Sequence, residues 1–242
     1  MKSIKHKYIR FVFVSLVILL AMALVSCRTT TTRSAVVEST YKLGMSHLVS
    51  GDTQAAFVKF HEVLNLKSNH KESLNGLGYV YLDLDDYEKA EESFRKSVKV
   101  DKMYSEAQNN LCYSLYRQDK FTEAIGSCED ALKNPLYRTP EKAYYNMGRS
   151  YHKMGKFPEA VIAFENAVKR HPGFFQGYYM QALSYNANRQ FGKAAKVMNL
   201  AVGLDHRFQG DKQLAESKFK QLRDKGFLNP KEVDIFLEIL HY

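Results

Sequence analysis

Alanine returns along this chain at 56, 90, 124, 160 and 194, at intervals of 34, 34, 36 and 34 residues. Four positions after each comes a large apolar or similar side chain: Phe60, Phe94, Cys128, Phe164 and Met198. Twelve or thirteen positions before each lies a second recurrent pair, Leu43-Gly44, Leu77-Gly78, Leu111-Cys112, Met147-Gly148 and Gln181-Ala182. Three residues after the second member of each pair stands His47, Tyr81, Leu115, Tyr151 or Tyr185. A period of this length means that each unit is one supersecondary structure, stacked on its neighbours to bury a face it cannot bury alone. Antiparallel helices approach closely only where small side chains meet. The pattern therefore sets Gly44, Gly78 and Gly148 against Ala56, Ala90 and Ala160, with larger groups filling the flanks.

Between the two helices of each unit stand Gly51-Asp52, Asp85-Asp86, Asp119-Lys120, Gly155-Lys156 and Arg189-Gln190, mostly turn-tolerant residues. The units run over 37–70, 71–104, 105–138, 141–174 and 175–208, with Thr139 and Pro140 as an insertion and Pro172 ending the fourth. The remainder, 209–242, reads as two helices, with Gly226 as a stop and Asn229-Pro230 with Glu232 as a helix start. Val233, Phe236, Leu237 and Leu240 form an apolar stripe that seals the last unit, a degenerate sixth repeat. This organisation resembles the tetratricopeptide repeat, a helix-turn-helix of 34 residues. The resemblance implies an all-α superhelix, an α-solenoid of about six units.

Ahead of the repeats, Lys2, Lys5, Lys7 and Arg10 precede the run FVFVSLVILLAMALV over 11–25. A basic stretch followed by an apolar one and small residues reads as a secretory signal over 1–26. The run is shorter than the roughly 20 apolar residues of a spanning helix. Leu24-Val25-Ser26-Cys27 resembles the lipobox of bacterial lipoproteins. That implies cleavage before Cys27 and a diacylglycerol on its thiol, and two or more acyl chains anchor stably. In such lipoproteins an Asp after the cysteine favours the inner membrane. Here Arg28 stands there, which implies an outer-membrane, lipid-anchored protein facing the periplasm. Residues 27–36, with no hydrophobic periodicity, read as a flexible polar tether.

A chain with 45% apolar residues, 16 Tyr and 15 Phe is not disordered throughout. Its net charge of +9 invites a nucleic-acid reading, but four of the cations lie in the first ten residues and residues 1–26 hold no acid. The remaining surplus reads as a solvated surface, with no nucleic-acid partner. No GxxxxGK[ST], GxSxG or HExxH motif occurs, so no catalytic residue, cofactor or small-molecule substrate is expected. The eight His are scattered without metal-ligand spacing, so no metal site is expected. Cys112 and Cys128 fall at inward positions of one helical hairpin. They are either buried free thiols or, in an oxidising compartment, a disulfide.

Positions 4, 7, 8 and 11 of each first helix point at its partner, so positions 2, 5, 9 and 12 lie on the other side. In the repeat family that side lines a concave trough. Here it collects Tyr41 and Met45, Asn75 and Tyr79, Asn109, Tyr113 and Tyr116, Tyr145, Arg149 and His152, then Tyr179 and Leu183. Tyrosine joins a large apolar ring to a hydrogen-bonding tip and few rotors, which suits partner contact. Tyr81, Tyr144, Tyr151, Tyr178 and Tyr185 instead read as bridges between adjacent repeats.

The segment Ala131 to Ala143 (ALKNPLYRTPEKA), followed by Asn146-Met147-Gly148, resembles the equivalent junction of the tetratricopeptide lipoproteins that act as pilotins for the type IV pilus secretin. Asn109-Asn110-Leu111-Cys112 is similar to that family's third repeat. The resemblance implies a non-catalytic protein that binds secretin subunits and assists their assembly in the outer membrane, with Cys27 as the anchor and the trough as the capture surface. The Asp119-Lys120 and Arg189-Gln190 turns and Gln181 depart from the family pattern. A second class of expectation is a periplasmic scaffold for cell-wall enzymes or proteases.

Overall fold

The structure is a computed structural model that describes residues 33–225 and 229–242. The signal segment, Cys27, the tether up to residue 32 and Gly226 lie outside the described residues. Every regular element among the described residues is an α-helix, twelve in all. They are α1 (33–49), α2 (Thr53–Leu66), α3 (Lys71–Asp83), α4 (Tyr87–Val100), α5 (Ser105–Arg117), α6 (Phe121–Leu132), α7 (Pro140–Lys153), α8 (Phe157–Arg170), α9 (Phe175–Ala187), α10 (Phe191–Leu204), α11 (Lys212–Asp224) and α12 (Pro230–Leu240). Among the described residues no helix is long and apolar enough to cross a membrane. The chain divides into two compact units at Val80.

In the first unit, α1 begins at residue 33, so residues 33–36 are helical where the sequence suggests tether. Two contacts account for this. The Arg33 guanidinium donates to the Leu66 carbonyl at 2.5 Å, and Val37 is buried one turn later. The Phe60 ring lies against both flanking helices: a Cβ on Gly44 would stand 2.8 Å from it, and one on Gly76 2.6 Å. Gly44 and Gly76 thus make room for the phenylalanine four residues after the alanine. His70 starts α3 by accepting the Ser73 backbone N–H on Nδ1 at 3.2 Å, which requires the neutral ring. Burial lowers its pKa, although Glu72 pulls the other way.

In the second unit each helix packs on the next, and the first helices of successive repeats, α5, α7 and α9, also touch in sequence. The same glycine logic recurs, since a Cβ on Gly148 would meet the Phe164 ring at 2.7 Å. Adding that methyl would overpack the hairpin, at a cost of roughly 1–3 kcal/mol. Ala90, Ala124, Ala160 and Ala194, with Phe94, Cys128, Phe164 and Met198, have no exposed surface at all. Cys112 and Cys128 are joined as a disulfide, linking α5 to α6 with Cα atoms 5.4 Å apart.

All five turns within repeats place their first residue in the left-handed region: Gly51, Asp85, Asp119, Gly155 and Arg189, with φ between 55° and 79°. Asp119 and Arg189 hold this conformation without glycine, so these two departures from the family pattern leave the turn unchanged. Asp52 and Asp86 then accept an N–H of the next helix, whereas Lys120, Lys156 and Gln190 offer no such cap. At the junction between α6 and α7, Asn134 Nδ2 donates to the Met103 carbonyl at 3.0 Å while its Oδ1 accepts from Leu136 N. Tyr137 is buried there, and Pro140 is the first residue of α7 rather than part of an insertion outside it. Gln181 is buried because Glu165 accepts from it and from Tyr185, whose phenol is pushed up to about 12, chiefly by burial.

Candidate functional site

The trough residues of the second unit stand on α5, α7 and α9, and the structure treats them in three ways. Asn109 is buried and accepts a 3.1 Å hydrogen bond from Asn146 Nδ2, so it ties α5 to α7. Tyr113, Tyr116 and Tyr145 surround one cation. The Arg149 guanidinium carbon lies 4.2 Å from the Tyr116 ring centroid, 5.6 Å from that of Tyr145 and 5.8 Å from that of Tyr113. Each such contact contributes about 0.5–1 kcal/mol where water has access. Among the described residues no carboxylate pairs with Arg149 and no acceptor takes its N–H groups.

The neighbouring arginines are spent differently. Arg117 stacks 4.2 Å from the Tyr87 ring, donates to the Tyr113 hydroxyl at 2.9 Å and lies 3.9 Å from Asp85. Sequence reasoning missed Arg117 and Tyr87, which fall just outside the chosen register. The visible signal was an arginine one helical turn after Tyr113. Tyr145 packs on Phe164 and Phe174, with ring centroids 5.7 and 5.1 Å away. Burial raises its pKa, Arg149 opposes, and Glu232 at the start of α12 adds to the rise. His152 meets Phe157 edge-on and shares a 2.9 Å hydrogen bond between Nδ1 and Ser184 Oγ. Burial first, and Lys153 second, hold its pKa below the ordinary 6.5.

Tyr179 differs from its expected role. It is buried in the second unit's core, edge-on to Phe219 and Phe236, and its hydroxyl donates to Asp205 at 3.3 Å. Asp205 has no exposed surface and accepts from Arg207 at 2.6 and 2.9 Å. Although burial pushes the Asp205 carboxyl up, the Arg207 and Tyr179 bonds hold it below the usual range. Helix α12 packs against α9 and α10, with Val233, Phe236, Leu237 and Leu240 all buried. The Tyr242 hydroxyl donates to Glu238 at 2.6 Å and lies 3.2 Å from the Asn186 side chain on α9. The chain's own C-terminal helix therefore covers the wall at the fifth repeat and closes it to a partner.

In the first unit, Tyr41 lies 5.3 Å from His70 and 6.1 Å from Phe60, ring to ring. Burial raises its pKa, with Glu72, Glu38 and Tyr79 adding to it. Asn75 is buried, and Tyr79 is a little over one third exposed. Among the described residues no group of three or more His, Cys, Asp or Glu could hold a metal ion.

An array of this kind presents its inner helices to polypeptides. Here Arg149 lies among three phenol rings with its donors unspent, and chemically such a group can donate to a carboxylate or carbonyl oxygen. Tetratricopeptide repeat families match residues 71–102 and 141–174. The chain is 25% identical over 164 residues to type IV pilus assembly protein PilF of Pseudomonas aeruginosa, covering 64% of this chain and 65% of that one. It spans less than two thirds of the length of the curated relatives it matches. The crystal structure of MamA protein is 26% identical, with 72% of this chain and 94% of that one aligned at a TM-score of 0.62. That of PilW, described as a widely conserved type IV pilus biogenesis factor, shares the fold at 22% identity and a TM-score of 0.67, over 84% of this chain and 98% of that one. The chain is thus an α-solenoid of tetratricopeptide repeats, related at low identity to type IV pilus assembly protein PilF.

Proposed function

We propose that this chain is an outer-membrane lipoprotein that binds secretin subunits through the α5–α7 wall and assists their assembly during type IV pilus biogenesis. One observation carries the reading: a chain related to a type IV pilus assembly protein holds Arg149 among three tyrosines without a carboxylate of its own. The partner segment is extended, lays apolar side chains on Tyr113 and Tyr145, and brings an acceptor to Arg149. Cys27 carries the lipid that keeps this wall at the periplasmic face of the membrane, and no step of the function is catalytic. The test is a strain lacking the gene, assayed for heat-stable secretin multimers and twitching motility. The reading expects multimers to fall and to return with the intact gene but not with a Cys27→Ser copy. Normal multimers in the deletion strain would reject it.

A further inference from the structure

A cleft opens on a different face of α7. It lies between α6, α7 and α8, has a volume of about 430 Å³ and is lined by Leu132, Met147, Tyr144, Tyr151, Ile162 and Ala163. Its rim carries Glu129 from α6 and Glu159 from α8, together with Lys133 and Asn166. Periodicity explains why the tyrosines are here: they occupy positions 4 and 11 of their repeat and pack between neighbouring hairpins. It does not explain the state of the polar groups.

Lys133 is committed to Asp130 at 2.5 Å, and Asn166 donates to the Ile162 carbonyl of its own helix at 3.0 Å. Among the described residues Glu129 and Glu159 make no ion pair at contact distance and no hydrogen bond, although Lys133 also acts on Glu129 through space, and the Tyr144 and Tyr151 hydroxyls have no hydrogen-bond partner. Both carboxylates face Tyr151, whose pKa is raised by burial first and then by Glu129 and Glu159. Ile162, at the edge, is left 58% exposed. An apolar floor, two phenol faces and two unpaired carboxylates on opposite walls complement a single kind of group, a cation on an apolar stem.

We propose that this cleft is a docking site for an arginine side chain, with an apolar neighbour, on a segment of a partner protein. Guanidinium is favoured over ammonium because its planar face stacks on a phenol ring while its edges reach two separate carboxylates. The stem and the neighbouring side chain cover Met147 and Ile162. This surface is independent of the wall around Arg149, and neither site needs the other.

The test is a methyl NMR titration of the full chain with N-acetyl-Leu-Arg-Leu-amide, following Met147 and Ile162. Saturable shifts at both are expected. They should be absent with the peptide in which citrulline replaces arginine, which keeps the shape and removes the charge. Glu129→Gln with Glu159→Gln should weaken binding about tenfold or more, in line with the loss of charge-assisted hydrogen bonds, while Arg149→Ala leaves it unchanged. Both glutamates are exposed, so the double variant keeps the fold. Equal shifts with the citrulline peptide, no saturable shift, or undiminished binding by the double variant would each overturn the proposal. So would methyl shifts that depend on protein concentration without peptide, because they would assign the cleft to self-association.

Discussion

Tyr145 and Tyr179 hold the same position in successive repeats, yet one borders an open wall and the other is sealed. Tyr145 keeps a half-buried ring beside Arg149 and, among the described residues, a hydroxyl with no hydrogen-bond partner. Tyr179 lies under Phe219 and Phe236 with its hydroxyl on Asp205. Position in the repeat decides which face a side chain joins. The helices beyond the last repeat decide whether that face stays available. The two regions are also held differently, since a disulfide staples the α5–α6 hairpin under the open wall while aromatic packing closes the far end.

The largest effect separates the two tyrosines directly. Tyr179→Ala empties a core position and should lower stability by about 3–5 kcal/mol, read as a fall in the urea midpoint, with a much smaller fall for Tyr145→Ala. Equal losses would erase the distinction. Next comes the staple: the Cys112–Cys128 pair spans 16 residues of chain, and reduction should remove about 3 kcal/mol. The Tyr179→Ala loss should persist under reduction, because the closed end does not depend on the staple.

Much of this was legible in the chain. The alanines, the residue four places on and the turn pairs mark the helices because local geometry alone sets them. The αL residue in all five turns is where the spacing put it. Tyr179 was placed in the trough, whereas Phe219 and Phe236, 40 and 57 residues further on, bury it; Phe236 belonged to the stripe expected to seal the last unit, but which residue that stripe would cover depends on tertiary packing. Gly44 and Gly148 were marked as close-approach positions against alanines, but spacing alone did not show which side chain comes nearest. Their space is taken by Phe60 and Phe164, whose rings reach across the hairpin. Arg149 was named for its register, but that it lacks an acceptor depends on every other helix of its unit.

The turns should respond alike in both regions. Asp119→Gly beside the open wall and Arg189→Gly beside the closed end each relieve a left-handed backbone at φ 58°. The strain of roughly 1–2 kcal/mol exceeds the added entropy of glycine, so each should gain about 0.5–1 kcal/mol in thermal unfolding. A gain at only one would show that the regions differ in their hairpins and not only in their cover.

The smallest effect concerns His152, which joins α7 to α9 through Ser184. Its folded pKa is depressed, so as pH falls the unfolded chain takes the proton first. Its contribution is present above the ordinary value of 6.5 and is lost as pH falls from there through the folded pKa. His70, depressed in the same direction, adds to the trend. Urea midpoints at pH 7.5 and 5.5 should differ, and by less in His152→Gln.

The most direct measurement is site-specific photo-crosslinking in cells, with a benzophenone side chain replacing Tyr113 in one strain and Tyr179 in another. A covalent adduct containing the secretin subunit from position 113, and none from position 179, is what an open α5–α7 wall predicts. An adduct from 179, or none from 113 in a strain that still assembles multimers, would contradict it.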